Sequence, residues 1–335
     1  DDGGQRNRVR GMLDRYLAET APLLPTLRSS VIHNDGNDYN VLVSPYGRWS
    51  NRVSGIIDFG DMVHSHTVNE LAIACAYALM GKTDPLAAAC RVIAGYHEAL
   101  ALTEVELAVL FDLICMRLCT SVCHSARQSR LAPDNAYLLI SRRQAWSLLE
   151  QLATVSPVFA EALFRDACGF DPVPRSRDIV AWMKDNPGSF APVVDAALLS
   201  GDPPTIDLSV DTPLLGAGPQ KKDAAAMTRI VFRQMEDAGS ALGIGRYEEA
   251  RLIYTTDAFR VETDCAPEYR TVHLGIDLFL KPGAAVYACM DGRIHSLKNN
   301  AAHQDYGPTV ILFHETDDGV PFYSLYGHLA MTSLD

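Results

Sequence analysis

The sequence lacks several features that would assign a protein to a specialised class. Only eight of its 335 residues are cysteines, and no two of them have CxxC spacing, which excludes the commonest zinc and redox motifs. No apolar run approaches the roughly 20 residues of a membrane-spanning helix, and the N-terminal residues show no signal-peptide pattern. Basic residues form no stripe, and the net charge is -12, which disfavours nucleic acid as a partner. We therefore expect a cytoplasmic protein without nucleic-acid or membrane partners.

Three of the cysteines, Cys115, Cys119 and Cys123, recur every four residues, a spacing that places them on one face of a helix. A row of thiols can form a metal cluster or can fill a reduced core as small apolar side chains. Free cysteine is among the most frequently buried residues, and cytosolic proteins seldom form disulfides. The pattern therefore favours buried thiols.

The distribution of apolar residues predicts an α+β protein in three parts. Residues 1–155 combine short strand-like segments with amphipathic helices, one of which follows a capping box at Thr103 and Glu106. Residues 156–222 hold shorter helices broken by proline and glycine and end in a linker. Residues 223–335 contain short apolar segments separated by Gly, Pro and Asp, among them "AVYACM", which predict a β-rich domain.

The stretch "VIHNDGNDYNVLV" places acidic and amide side chains between two apolar segments. Asp35 is followed five residues later by Asn40, and Asp58 ends the next apolar run in "IIDFGD". Phosphoryl transfer from a nucleotide needs an aspartate near the acceptor hydroxyl and oxygen ligands for Mg²⁺. Kinases carry His-x-Asp, then Asn, then Asp-Phe-Gly in this order. A simple polar turn is the alternative for "NDGND", but the second motif favours a kinase-type site.

Together with "GIIDFGDMVHSHTVNELAIA", this stretch resembles the aminoglycoside phosphotransferase/choline kinase superfamily, and is most similar to its hydroxylysine kinase-like branch. The resemblance covers roughly residues 8–155. It implies a mainly helical kinase C-lobe with a small β-hairpin catalytic region. It also implies ATP as phosphate donor, an amino-alcohol-like small molecule as acceptor, Asp35 as catalytic base, and Asn40 and Asp58 as Mg²⁺ ligands.

The same resemblance suggests roles for the residues around these three. His33 and Asn37 would support the catalytic loop. Asp61 and Glu70 would lie near the acceptor or a second metal, and acidic side chains such as Glu70 and Asp112 are candidates for recognising a cationic acceptor.

One part of the family pattern is missing from the chain. Such kinases carry, ahead of this motif, a β-lobe with a lysine that pairs the nucleotide phosphates. Only 32 residues precede His33, and the first lysine of the chain is Lys82. We therefore expect the nucleotide clamp to be absent or to lie outside this chain, and we expect the chain alone to be inactive. A non-catalytic scaffold module is the alternative.

A second group of candidate site residues lies near the C-terminus. "HLGID" sets His273 and Asp277 four residues apart, and "LYGHL" adds His328. A zinc hydrolase needs three protein ligands and an open position for water. By spacing alone, a surface histidine and a turn aspartate are the preferred interpretation.

The glycine and strand pattern around these residues resembles a lysostaphin-type zinc metallopeptidase, an enzyme class that cuts cell-wall peptides. This resemblance implies His273 and Asp277 as zinc ligands and His328 as an active-site histidine. The His-x-His motif that completes the family's zinc site comes from a later strand, and no such motif follows His328 in the chain. The domain order resembles kinase–peptidase–class III aminotransferase fusions, in which pyridoxal phosphate would belong to a further domain. The oligomeric state stays open.

Overall fold

A computed structural model describes residues 2–46, 50–131, 137–212, 224–261 and 268–335. The chain divides into two compact units, residues 1–174 and 175–335. Both units mix helices with short strands, which confirms the α+β class. Among the described residues, no helix is both long enough and apolar enough to cross a bilayer. The predicted domain boundaries at residues 155 and 222 stay predictions.

Helices dominate the first unit. They are α1 (Asp2–Arg15), α2 (Val68–Ala78), α3 (Pro85–Ala99), α4 (Glu104–Leu131), α5 (Tyr137–Leu152) and α6 (Pro157–Ala167). The start of α3 is set locally, because the Asp84 side chain accepts a hydrogen bond from the Ala87 N–H at 2.9 Å and Pro85 occupies the first turn. The predicted capping box is confirmed at α4, where the Thr103 N–H donates to Glu106 Oε2 at 2.8 Å and the Glu106 N–H donates to Thr103 Oγ1 at 3.3 Å.

The core of this unit forms where α2, α5 and α6 pack against α4, and where α3 packs against α2 and α6. Its fully buried side chains include Leu71, Ile93, Leu107, Leu118 and Leu149.

The cysteines of this unit that lie in its core behave as small apolar side chains. Cys75, Cys115 and Cys119 are buried, and burial raises the pKa of each thiol to about 12. Cys123 departs from the predicted buried row because it is exposed on α4. Across the described residues, no group of three or more His, Cys, Asp or Glu side chains could hold a metal ion.

The strands of the first unit form two antiparallel pairs. Strands β1 (Ser29–Ile32) and β4 (Val63–His66) pair with each other, and β2 (Val41–Tyr46) pairs with β3 (Ser50–Ile56). The loop between β1 and β2 carries residues 33–40, and the loop between β3 and β4 carries residues 57–62. Both polar motifs therefore lie in the connections between the two strand pairs.

The second unit contains short helices and small sheets. The helices are α7 (Ser176–Asp185), α8 (Ala196–Leu199) and α9 (Ala224–Asp237). The strands are β5 (Thr205–Ile206), β6 (Gly243–Gly245), β7 (Glu249–Ala250), β8 (Arg260–Val261), β9 (Glu268–Tyr269), β10 (Val272–His273), β11 (Asp277–Phe279), β12 (Arg293–Asn300), β13 (Gly307–Glu315) and β14 (Pro321–Tyr326). Strands β12, β13 and β14 form an antiparallel meander, and β6 lies between β5 and β11.

Close packing beneath the β5–β6–β11 sheet explains one of its glycines. Ile206, Leu208, Val231 and Met235 form a small buried core. A Cβ at Gly243 would lie 2.8 Å from Ile206 Cγ1, so only glycine fits this approach.

The prediction of a strand at residues 285–290 was wrong. This segment joins no sheet, and its backbone bonds instead to an irregular segment earlier in the same unit. The Tyr287 N–H donates to the Val193 carbonyl at 2.9 Å, and the Ala191 N–H donates to the Cys289 carbonyl at 2.6 Å. The apolar run thus belongs to a segment that hydrogen-bonds to other irregular backbone without joining a strand ladder.

The Arg28–Glu106 ion pair should give the stability of the first unit a pH dependence. Burial alone would raise the pKa of Glu106, but hydrogen bonds from Arg28 and Thr103 outweigh it and lower that pKa below its ordinary value. The stabilisation is therefore fully present above the ordinary glutamate pKa and is lost as the pH falls through the lowered one. We expect Glu106→Gln to cost about 1–2 kcal/mol at neutral pH and much less near pH 3, as measured by urea unfolding.

The matched control for this measurement is Glu98→Gln, since Glu98 is exposed on α3. It should leave the free energy of unfolding unchanged at both pH values. A Glu106→Gln cost that stays constant between the two would contradict the ion-pair assignment.

Candidate active site

The β2–β3 hairpin brings Asn40 and Asp58 to the same end of the strand pair. Val41 faces Ile56 in the register, and the Ile57 N–H donates to the Asn40 carbonyl at 2.9 Å. Asp58 follows at once with φ 64° and ψ 68°, a left-handed conformation that aspartate tolerates better than most residues. This conformation turns the chain out of the strand into the single turn of residues 59–61.

The Asp35 carboxylate is held by two side-chain amides of its own loop. Its Oδ2 accepts hydrogen bonds from Asn40 Nδ2 and from Asn37 Nδ2, both at 2.9 Å. Asn40 Nδ2 also donates to the Asp35 carbonyl at 2.9 Å. The predicted base and one predicted Mg²⁺ ligand are therefore in direct contact.

Asn37 also organises the turn between them. Its Oδ1 accepts from the backbone N–H groups of Tyr39 at 2.8 Å and Asn40 at 3.2 Å. Such side-chain-to-backbone bonds are the usual reason for asparagine in tight turns. The loop is thus both a polar turn and the support of the Asp35 carboxylate.

His33 ties this loop to the end of β3. Its Nε2 lies 2.9 Å from the Ile57 carbonyl, and its ring packs edge-on against Phe59 with centroids 5.2 Å apart. Nearly all of the side chain is buried, and its Nδ1 has no hydrogen-bond partner among the described residues. These contacts suit the predicted bracing role, which remains a prediction.

Glu70, at the start of α2, contacts the backbone of the loop. Its Oε2 accepts from the Asn34 N–H at 2.9 Å, and Asn34 has a left-handed φ of 67°. A Cβ at Gly36 would lie 3.0 Å from Glu70 Oε1, so glycine lets the loop pass close to this carboxylate. Asp61 is exposed at the end of the turn that follows Asp58. The acceptor or second-metal roles of both residues remain predictions.

Two residues of α2 and α4 that sequence reasoning missed complete the surroundings of Asp35. Arg117 Nη2 lies 3.2 Å from Asp35 Oδ1 and donates to the Tyr77 hydroxyl at 3.0 Å. The guanidinium also lies over the Tyr77 ring, 5.5 Å from its centroid. A sequence signal existed, because Arg117 interrupts the apolar stretch "LICMRLC" of α4, in which Ile114 and Leu118 are fully buried.

Asp112, the other candidate for cation recognition, is engaged elsewhere. It is buried, its Oδ1 accepts from Arg15 Nε at 2.8 Å, and its Oδ2 accepts from Thr20 Oγ1 at 2.8 Å. Both carboxylate oxygens thus tie α4 to the N-terminal segment. These two hydrogen bonds explain why the Asp112 carboxylate is buried, with no need for a cationic acceptor molecule bound to it.

The donor set at the hairpin end suits Mg²⁺. Asn40 uses its amide nitrogen for both bonds to Asp35, which leaves its Oδ1 for a cation. Asp58 adds an exposed carboxylate, and Gly60 leaves room beside it, since a Cβ there would lie 3.4 Å from Asp58 Oδ1. Hard oxygen ligands of this kind, completed by water and substrate phosphates, are what Mg²⁺ prefers.

In the second unit, His273 and Asp277 come together as part of an ion-pair network. His273 Nε2 lies 3.6 Å from Asp277 Oδ1, while Arg251 binds Asp277 Oδ2 at 2.7 Å and Glu249 Oε2 at 2.8 Å. Burial lowers the pKa of His273 despite the nearby carboxylate. His328 has a left-handed φ of 56°, and its N–H donates to the Tyr306 carbonyl at 2.7 Å.

These contacts account for Asp277 without a metal, because Arg251 already neutralises its carboxylate. No third metal ligand joins His273 and Asp277 in the described part of the chain. A zinc site here therefore gains no support.

Comparison with known proteins places the first unit beside a class of phosphotransferases. Residues 2–105 match the phosphotransferase enzyme family, so this part of the chain is similar to the kinase-like superfamily. No comparison supports a lysostaphin-type domain or an aminotransferase fusion. No solved structure matches the chain significantly.

Among curated proteins, the chain is similar to hydroxylysine kinases. It is 36% identical to that of Mus musculus over 154 residues, which are 44% of this chain and 41% of the relative. It is 34% identical to that of Bos taurus over 157 residues, 45% of this chain and 42% of the relative. Identity to that of Danio rerio is 34% over 145 residues, 43% of this chain and 41% of the relative. The chain thus spans about two fifths of the length of the curated relatives it matches.

Proposed function

We propose that the protein is a small-molecule kinase that transfers the γ-phosphate of ATP to a hydroxyl of an amino-alcohol-like acceptor. The observation that carries this proposal is the contact of Asp35 with Asn40, at the hairpin end where Asp58 also lies. The match to the phosphotransferase family and the similarity to hydroxylysine kinases point to the same chemistry. Hydroxylysine is therefore the first acceptor to test.

In this proposal Asp35 accepts the proton of the acceptor hydroxyl as that oxygen bonds to the γ-phosphorus. The bond from the γ-phosphorus to the β–γ bridging oxygen breaks, and ADP leaves with the electron pair. Asn37 and Asn40 fix one carboxylate oxygen of Asp35, so the aspartate needs little reorganisation before the reaction.

Asn40 and Asp58 would hold Mg²⁺, which supplies charge neutralisation on the phosphate oxygens when bound. The two residues present oxygens at one hairpin end, while the second oxygen of the Asp35 carboxylate faces Arg117. The protein's own part in this chemistry is to keep the base and the cation ligands on one short loop.

The test is a phosphoryl-transfer assay on the protein at its full natural length. Purified protein is incubated with ATP, Mg²⁺ and a panel of amino alcohols that includes hydroxylysine. We expect one phosphomonoester, detected by phosphorus NMR, for each ADP released, and no product when Mg²⁺ is chelated. ATP hydrolysis without a phosphorylated acceptor, or no turnover with any acceptor of the panel, would overturn the proposal in favour of a non-catalytic module.

A further inference from the structure

Arg117 makes a long ion pair beside the candidate base. Its single bond to Asp35 is 3.2 Å long, whereas Arg15 reaches Asp112 at 2.6 Å and Arg28 reaches Glu106 at 2.6 Å in the same unit. Charge-assisted hydrogen bonds are normally about 2.7–2.9 Å long. The contact with Asp35 therefore satisfies the guanidinium poorly.

Much of the hydrogen-bonding capacity of Arg117 is also unused. Both bonds that it donates to described residues come from Nη2, and its buried Nε has no partner there. The side chain is about one-quarter exposed, and the Tyr77 ring and hydroxyl hold it in position. A planar fork held in this way is suited to binding a second anion.

The position of Arg117 indicates which anion that would be. Asn40, the proposed metal ligand, bonds to Oδ2 of Asp35, whereas Arg117 bonds to Oδ1. In an in-line transfer, the metal accompanies the nucleotide phosphates, and the acceptor approaches the base from the other side. An anion on the Arg117 side therefore belongs to the acceptor.

We propose that Arg117 binds the carboxylate of an amino-acid-type acceptor and so places the acceptor hydroxyl beside Asp35. This inference rests on the proposed kinase function and assigns the class of its acceptor, an amino alcohol that carries a carboxylate. The acceptor carboxylate satisfies donors of Arg117 that Asp35 leaves unused. Arg117 is then a specificity-determining residue.

The test compares hydroxylysine with its decarboxylated analogue in the full-length protein. We expect the wild-type kcat/KM to favour the carboxylate-bearing acceptor by about 10- to 100-fold. In Arg117→Gln this preference should fall close to one, mainly through a higher KM for the carboxylate-bearing acceptor. Arg117→Lys should keep part of the preference, because it retains the charge without the fork. Arg127→Gln, at an exposed position on the same helix, is the matched control and should behave as wild type.

A loss of kcat by Arg117→Gln that is equal for both acceptors would overturn the proposal, because Arg117 would then act on Asp35 or the phosphoryl group. Calorimetric binding of both molecules without nucleotide separates this outcome from failure of the kinase function. If neither is phosphorylated, binding that depends on the carboxylate and is lost in Arg117→Gln still supports the proposal. Equal binding of both molecules overturns it. Circular dichroism confirms that the variants fold.

Discussion

Replacing Asp35 with asparagine is expected to lower kcat for phosphoryl transfer by about 10²- to 10⁴-fold, the usual contribution of a positioned proton acceptor. Asparagine has the same shape as aspartate and keeps one oxygen for the amides of Asn37 and Asn40. It loses the negative charge and cannot take the proton of the acceptor hydroxyl. The loss should therefore appear in kcat, with the thermal midpoint of unfolding nearly unchanged.

The matched control is Asp38→Asn, the same chemical change at an exposed position of the same loop. It should retain wild-type turnover. Retained turnover in Asp35→Asn would remove Asp35 from the role of base and leave the site without a proton acceptor.

The second large effect is expected from Asp58→Asn, which should lower kcat by at least about 100-fold at ordinary Mg²⁺ concentrations. The reason is that a metal bound at this point supplies several kcal/mol of charge stabilisation. Asparagine adopts the left-handed region as readily as aspartate does, so the backbone at φ 64° should survive the change. The Mg²⁺ concentration needed for half-maximal activity should rise, and a Mn²⁺ titration followed by electron paramagnetic resonance should show weaker binding.

The control for this variant is Asp202→Asn, because Asp202 is also left-handed, with φ 51°, and lies exposed in the second unit. It reports on the backbone effect of the substitution without touching the site. If Asp58→Asn lowered kcat while Mn²⁺ affinity stayed at the wild-type value, Asp58 would not be a metal ligand.

The parts of the fold that were predictable are those whose causes are local in the chain. The capping box at Thr103 and Glu106 could be recognised because its two reciprocal bonds join residues three positions apart. The segments flanking the catalytic loop could be predicted as strands for the same reason, since apolar residues bounded by polar turns favour β-structure. The strand prediction for residues 285–290 was wrong because an apolar run does not reveal whether a neighbouring strand is available for pairing.

The sequence by itself determined the order and spacing of Asp35, Asn40 and Asp58, and with them the class of chemistry to expect. This spacing was sufficient to predict that Asn40 and Asp58 lie close together. In a hairpin of fixed register, the residues that flank the paired strand ends must be neighbours. Only the tertiary structure decided that Arg117, which lies 82 positions after Asp35, reaches its carboxylate. The tertiary structure also decided that Glu70 contacts the loop backbone and that the Asp112 carboxylate is hydrogen-bonded to Arg15. Such contacts depend on how helices pack against the loop, and helix packing follows from the combined burial of many side chains and not from any short motif.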